Sequence, residues 1–200
     1  MNGRALVTLL ALGLAGTVLL VALQLGLAPR IDEARQAAEE RALLDLLPTG
    51  SYDNHPLREP VTLPDAEALG RPAPDSAWLA RREGQVVALL LPVTGQGYEG
   101  PIRLLLAIAP DGRLLRSKVL EHRETTGIGD RIEPSRSPWL ASLDGISLGN
   151  RPGEWRVRAD GGGFDQIAGA TITSRAVLAA TQEGLRYFDS HREQLLGEAP

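Results

Sequence analysis

The sequence predicts an α+β fold, an antiparallel sheet with flanking helices, behind one N-terminal transmembrane helix. Three observations predict it. Residues 5–28 carry no charge, paired apolar runs over 77–122 are broken by turn signals, and the clearest helical period lies at 174–188. The anchor comes first in the chain. At 1.5 Å per residue, about 24 residues span roughly 36 Å, enough to cross a hydrocarbon core of ~30 Å. A secretory signal peptide competes for the same stretch, and Gly26-Leu27-Ala28 imitates its cleavage site. Pro29 directly after that site is expected to block cleavage, so residues 1–29 are read as an uncleaved anchor. Arg4 on one side and Arg30 and Arg35 on the other leave the positive-inside rule balanced.

Residues 30–75 follow as a helical linker and a Pro-rich wrap. The helical composition of 31–47 ends at Pro48 and Gly50, after which Pro56, Pro60, Pro64, Pro72 and Pro74 favour irregular chain. A globular domain is expected over 76–190 and a tail over 191–200. Within the domain, runs 77–83 and 85–93 read as strands joined at Glu83-Gly84. Runs 102–110 and 112–122 are separated by Pro110-Asp111-Gly112, where proline sets φ and glycine accepts positive φ. The unbroken apolar run 104–108 suits a central strand covered on both faces. A short helix is expected at 137–143 and a further strand at 155–157. The helix over 174–188 presents Val177, Leu178, Thr181, Leu185 and Phe188 on one face, with Thr173 or Ser174 as its cap.

Composition removes several functions. The chain of 200 residues is 43% hydrophobic and 23% charged, which excludes wholesale disorder. A net charge of -4 without any basic run gives no footprint for nucleic acid. The absence of cysteine removes disulfides, thiolate metal sites, cysteine-held clusters and cysteine nucleophiles. His55, His122 and His191 are too scattered for a metal site, so no metal is expected. No G-x-S-x-G sequence supports a hydrolase, and no catalytic residue is assigned.

The most informative stretch is 161–175, GGGFDQIAGATITSR. A glycine-rich backbone leads through Gly169 and Ala170 into Thr171 and a helix start. A helix N-terminus offers unpaired N–H groups and partial positive charge, so it accommodates a phosphate. By these residues alone, a plain tight turn before a helix is the commoner explanation. Residues 122–130, HRETTGIGD, form a second candidate, with Ile128 between two glycines able to lie against a flat ring. A solvated loop is the bland alternative, and His122 reads as a polar surface residue. Tyr98, in a glycine-rich loop, brings an aromatic ring to the same region or simply packs. Trp78, Trp139 and Trp155 read as core.

The stretch 165–171, DQIAGAT, resembles the flavinylation motif D-x-x-(S/T)-G-A-T of FMN-binding domains in the Rnf and Na⁺-translocating NADH:quinone reductase complexes. Ala168 stands where that motif has Ser or Thr. The stretches 97–115, 119–133 and 155–177 are similar to the G subunit of the Rnf (Rsx) complex, and the likeness covers nearly the whole chain. The resemblance implies FMN joined by a phosphoester to Thr171, with Ala170 beside it and Asp165 and Gly169 as motif residues recognised by a flavin transferase that uses FAD. It further implies that Glu124, Thr125, Gly127, Ile128 and Gly129 pack by the isoalloxazine, with Thr126 where proline is common. The implied function is electron carriage within a ferredoxin- and NAD-linked ion-translocating complex. The implied partners are the other complex subunits, the transferase and membrane lipid. The implied location is the bacterial inner membrane, single-pass, with the C-terminal domain periplasmic. A non-redox anchored module of the same fold is the alternative.

Overall fold

Turn chemistry and apolar runs across 60–121 build a five-stranded antiparallel meander whose strands neighbour one another in chain order. The computed structural model describes residues 13, 16, 17, 44–74, 76–150 and 154–197. The expected anchor and most of the linker helix lie outside the described residues. Among the described residues no helix is long and apolar enough to cross a membrane. The chain divides into Met1–Asp45 and Leu46–Pro200, and the sheet belongs to the second unit.

The strands are β1 (Pro60–Thr62), β2 (Ser76–Arg82), β3 (Gln85–Gln96), β4 (Pro101–Ile108) and β5 (Leu114–Glu121). Glu83 at φ 51° and Gly84 at φ 80° form the β2–β3 turn, the two positive values that a two-residue hairpin with strand-like twist requires. Between β4 and β5 the Gly112 N–H closes on the Ala109 carbonyl at 2.9 Å, with Gly112 at φ 87°. In β3 and β4 the set Leu89, Leu91, Val93, Leu104, Leu106 and Ile108 joins one core with Val177, Leu185 and Phe188 of α1 (Thr171–Ser190). The opposite-parity residues Ala88, Leu90, Leu105 and Ala107 are also fully buried. The central strands are therefore covered on both faces, which is why 104–108 reads as continuous rather than alternating. Each such leucine contributes about 1.5–3 kcal/mol of apolar burial.

The proline-rich segment is mostly irregular chain laid along the sheet, interrupted by 3-10 turns at Pro56–Arg58 and Ala66–Leu69, with one exception to the expectation of no strand. Asp53 N–H bonds the Arg81 carbonyl at 2.8 Å, and Asn54 bonds Leu79 and Arg81 of β2. Further on, the Thr94 hydroxyl donates to the Pro72 carbonyl at 3.1 Å, and the Tyr187 hydroxyl donates to Pro64. The exception is β1, which pairs Pro60 with Trp78 and Thr62 with Ser76. An edge strand tolerates a leading proline because one side of it needs no donor.

Three other expectations differ. Residues 155–157 form no strand: a single parallel bridge joins Val157 to Phe164. The backbone bonds of this segment go instead to the glycine loop, through Gly162 to Val157 and Gly163 to Glu154. A Cβ on Gly162 would stand 1.9 Å from the Arg156 carbonyl oxygen, so only glycine permits that fold-back. The helix at 137–143 shrinks to a 3-10 turn, Leu140–Leu143, whose buried leucines are three residues apart, the 3-10 repeat. Within 191–200, the residues Arg192–Leu196 form α2, with Leu195 and Leu196 buried and Gly197 at φ 72° ending it. Of the tryptophans only Trp155 is buried; Trp78 and Trp139 are half-exposed.

Candidate cofactor site

The first wall of the site is the start of α1. Ala170 N–H closes a turn on the Ile167 carbonyl at 3.0 Å, with Gly169 at φ 83°, a conformation that costs glycine nothing. Ser174 braces the turn from inside the helix. Its hydroxyl donates to the Ala170 carbonyl at 2.9 Å and accepts the Ile167 N–H at 3.0 Å. The N-cap is Ala170, which has no side-chain acceptor, so neither Thr173 nor Ser174 caps the helix as expected. The helix begins at Thr171, earlier than the apolar period indicates. Its first amides therefore have no side-chain acceptor, and no acidic residue occupies the first turn. Such a terminus attracts an anion. Thr171 is half-buried, and among the described residues its hydroxyl makes no hydrogen bond.

The second wall is the loop after β5. The Thr125 carbonyl accepts the N–H groups of Ile128, Gly129 and Asp130 at 3.2, 2.9 and 3.3 Å. Buried Asp130 accepts the Gly127 N–H at 2.8 Å. His122 is a brace rather than a surface residue. Its Nδ1 accepts the Glu124 N–H at 3.1 Å, so the proton sits on Nε2, which donates to Glu133 at 2.9 Å. That hydrogen bond holds the Glu133 carboxyl below its usual range, against a smaller effect of burial. Across the site, Arg175 of α1 grips Asp160 with two bonds of 2.6 Å, which lowers the Asp160 carboxyl and ties the glycine loop to the helix.

The walls enclose a cleft of about 600 Å³. Glu124, Thr125, Ile128 and Gly129 line one side, and Gly169, Ala170 and Thr171 the other. Two expected residues stand apart. Gly127 is spent on Asp130, and Asp165 is exposed, paired with Arg158 at 2.5 Å while its carbonyl accepts the Trp139 indole at 2.7 Å. Tyr98, Ile172 and Thr173 also line the cleft. The sequence indicates only a cap role for Thr173 and none for Ile172, although an apolar residue between two threonines at a helix start is a visible signal. Tyr98, Ile128 and Ile172 are 68%, 45% and 48% exposed. These, the large hydrophobics exposed among the described residues, all stand on its rim, where a flat apolar ring would cover them.

Residues 97–186 match the FMN-binding domain family, a range that holds every cleft-lining residue. The chain is 49% identical over 186 residues to the G subunit of the ion-translocating oxidoreductase complex of Pseudomonas aeruginosa, covering 92% of this chain and 86% of that one. The chain belongs to this G-subunit family. A second member, from Cereibacter sphaeroides, is 42% identical over 199 residues, covering 98% of this chain and 89% of its own length. The crystal structure of Shewanella oneidensis NqrC superposes with a TM-score of 0.51 at 25% identity, covering 68% of this chain and 69% of the other. The antiparallel five-stranded sheet is thus that of the FMN-binding domain fold.

Proposed function

We propose that this member of the G-subunit family carries electrons on an FMN joined to Thr171 by a phosphoester, within a membrane-bound ion-translocating oxidoreductase of the Rnf type. One observation carries the reading: the Thr171 hydroxyl, without a hydrogen bond among the described residues and at the first residue of a 20-residue helix, lines a cleft with an apolar rim. The residues present fit the group. Amides of the first turn suit the phosphate, and Tyr98, Ile128 and Ile172 suit the ring. Gly169 and Ala170 leave room, since a Cβ on Gly169 would already touch Ile128 at 3.5 Å.

FMN, when bound, supplies one- and two-electron transfer; the protein supplies position and electrostatics. In the attachment step a flavin transferase presents FAD. There the Thr171 oxygen would bond to the phosphorus of the FMN half as the phosphoanhydride breaks, with AMP as the leaving group and the hydroxyl proton released. The exposed pair Asp165–Arg158 lies within reach of an enzyme working at that turn. A covalent tether keeps the flavin at an effective concentration on the order of millimolar, which suits a domain exported to the periplasm. Residues 1–29 anchor it in the lipid of the inner membrane, and the other subunits of the complex supply the ion path and remaining relays.

Mass spectrometry of peptides from protein co-produced with the transferase tests this. The expected adduct is FMN less one water on Thr171, lost in Thr171→Ala. Absence of any adduct, as a non-redox module of this fold requires, refutes the reading.

A further inference from the structure

Glu124 is a buried group for which flavin attachment alone gives no task. It is 5% exposed and lines the cleft. Its Oε2 accepts the Tyr98 N–H at 3.2 Å and the Thr173 hydroxyl, and its Oε1 accepts the Glu99 N–H at 3.0 Å. No lysine or arginine pairs with it among the described residues. A buried carboxylate without a cation persists only where hydrogen bonds compensate it, and here three donors from two separate elements do so. Both oxygens meet donors, a pattern that suits an acceptor-only carboxylate.

The chain makes space for this group. A Cβ on Gly97 would stand 2.4 Å from Glu124 Oε1, and one on Gly129 would stand 2.7 Å from the Glu124 Cβ. His122 holds the Glu124 backbone from behind. A neutral residue would have served to join the Tyr98 loop to α1 more cheaply, since desolvating a charge is the costly choice. The charge itself therefore needs a task.

We infer that Glu124 is a positioning residue for the flavin, locking the Tyr98 loop to the first turn of α1 and placing a fixed negative charge at the cleft that disfavours flavin reduction. This rests on the flavin reading. Reduction adds electron density to the ring, and a carboxylate in a partly desolvated cleft opposes it more strongly than one in water. The midpoint potential is accordingly more negative than the same cleft would give without the charge.

The test uses the full-length chain, purified in detergent after co-production with the transferase. Flavin occupancy is read by mass and the midpoint by potentiometric titration. Glu124→Gln keeps the Glu99 bond and reverses the Thr173 bond, losing only that from Tyr98. It is expected to retain flavin with a midpoint shifted to more positive potential. Thr173→Val removes a donor that partly compensates the carboxylate but keeps the charge, and its midpoint is expected to move to more negative potential. Full occupancy of Glu124→Gln with the wild-type midpoint overturns the inference, as does a positive shift in Thr173→Val. If Glu124→Gln does not fold, Thr173→Val decides: a shift to more negative potential upholds the inference, and an unchanged or more positive midpoint overturns it. A wild type without adduct overturns the flavin reading itself, and this inference with it.

Discussion

Two threonines separated by Ile172 ought to differ sharply in what their loss costs. Thr173 is 2% exposed and its hydroxyl donates to the buried Glu124 carboxylate. Thr173→Ala removes a hydrogen bond to a charged group, worth about 1.5–3 kcal/mol. It also removes a buried methyl, worth about 0.8 kcal/mol. The higher helix propensity of alanine returns at most ~0.7 kcal/mol, and less at a first turn. The net loss is about 2–3 kcal/mol. For a unit of this size each kcal/mol moves the midpoint by roughly 2–4 °C, so Tm should fall by about 4–12 °C. Thr171→Ala deletes a half-buried hydroxyl that makes no hydrogen bond among the described residues and should stay within about 0.5 kcal/mol. Thermal unfolding of the flavin-free proteins by circular dichroism measures both. A Thr173→Ala variant as stable as the parent, or a Thr171→Ala variant equally destabilised, would refute the division of roles.

Other substitutions probe the frame that holds the cleft. Gly184 lies inside α1, and a Cβ there would stand 2.6 Å from Leu106 Cδ1 and 2.9 Å from Val93 Cγ1. Gly184→Ala gains about 1 kcal/mol in helix propensity but overpacks the sheet at a cost of about 1–3 kcal/mol; a net loss of up to ~2 kcal/mol is expected in chemical denaturation, and a gain would mean that α1 rides higher on β3 and β4 than described. Burial, with the Asp65 charge adding to it, pushes the Tyr187 hydroxyl from 10.0 up to about 12. Because its folded value is raised, the stability it contributes is whole below the unfolded value and drains away as pH rises towards about 12. Tyr187→Phe should lose about 1 kcal/mol at neutral pH and show a flatter alkaline limb. An unchanged limb, or tyrosinate absorbance appearing at the ordinary value for this group, would count against the burial of this hydroxyl beside Asp65.

The meander was legible because its information is local. Glu83-Gly84 and Pro110-Asp111-Gly112 specify turns by their own chemistry, and the runs they separate have length for one strand each. The misread segments depend on partners outside their own stretch. Residues 155–157 have strand composition, but the glycines at 162 and 163 fold back close enough to take their backbone bonds. The brief strand β1 exists only because β2 offers it an edge. The tail became α2 because Leu195 and Leu196 found the core.

The site was legible as two motifs and illegible as one cleft. Nothing near 124 announces that its carboxylate will meet a hydroxyl 49 residues later. The local pattern even pointed the wrong way, since a threonine and a serine before an apolar helical period look like caps. The helix starts at Thr171 because Ser174 closes the 167–170 turn from within, and this moves Thr173 from the cap to the inner side of the first turn. From there its hydroxyl is committed to Glu124, while that of Thr171 keeps its lone pairs and space. In the proposed attachment, the choice between the two neighbouring threonines would be made by the Glu124 carboxylate, which occupies the Thr173 hydroxyl.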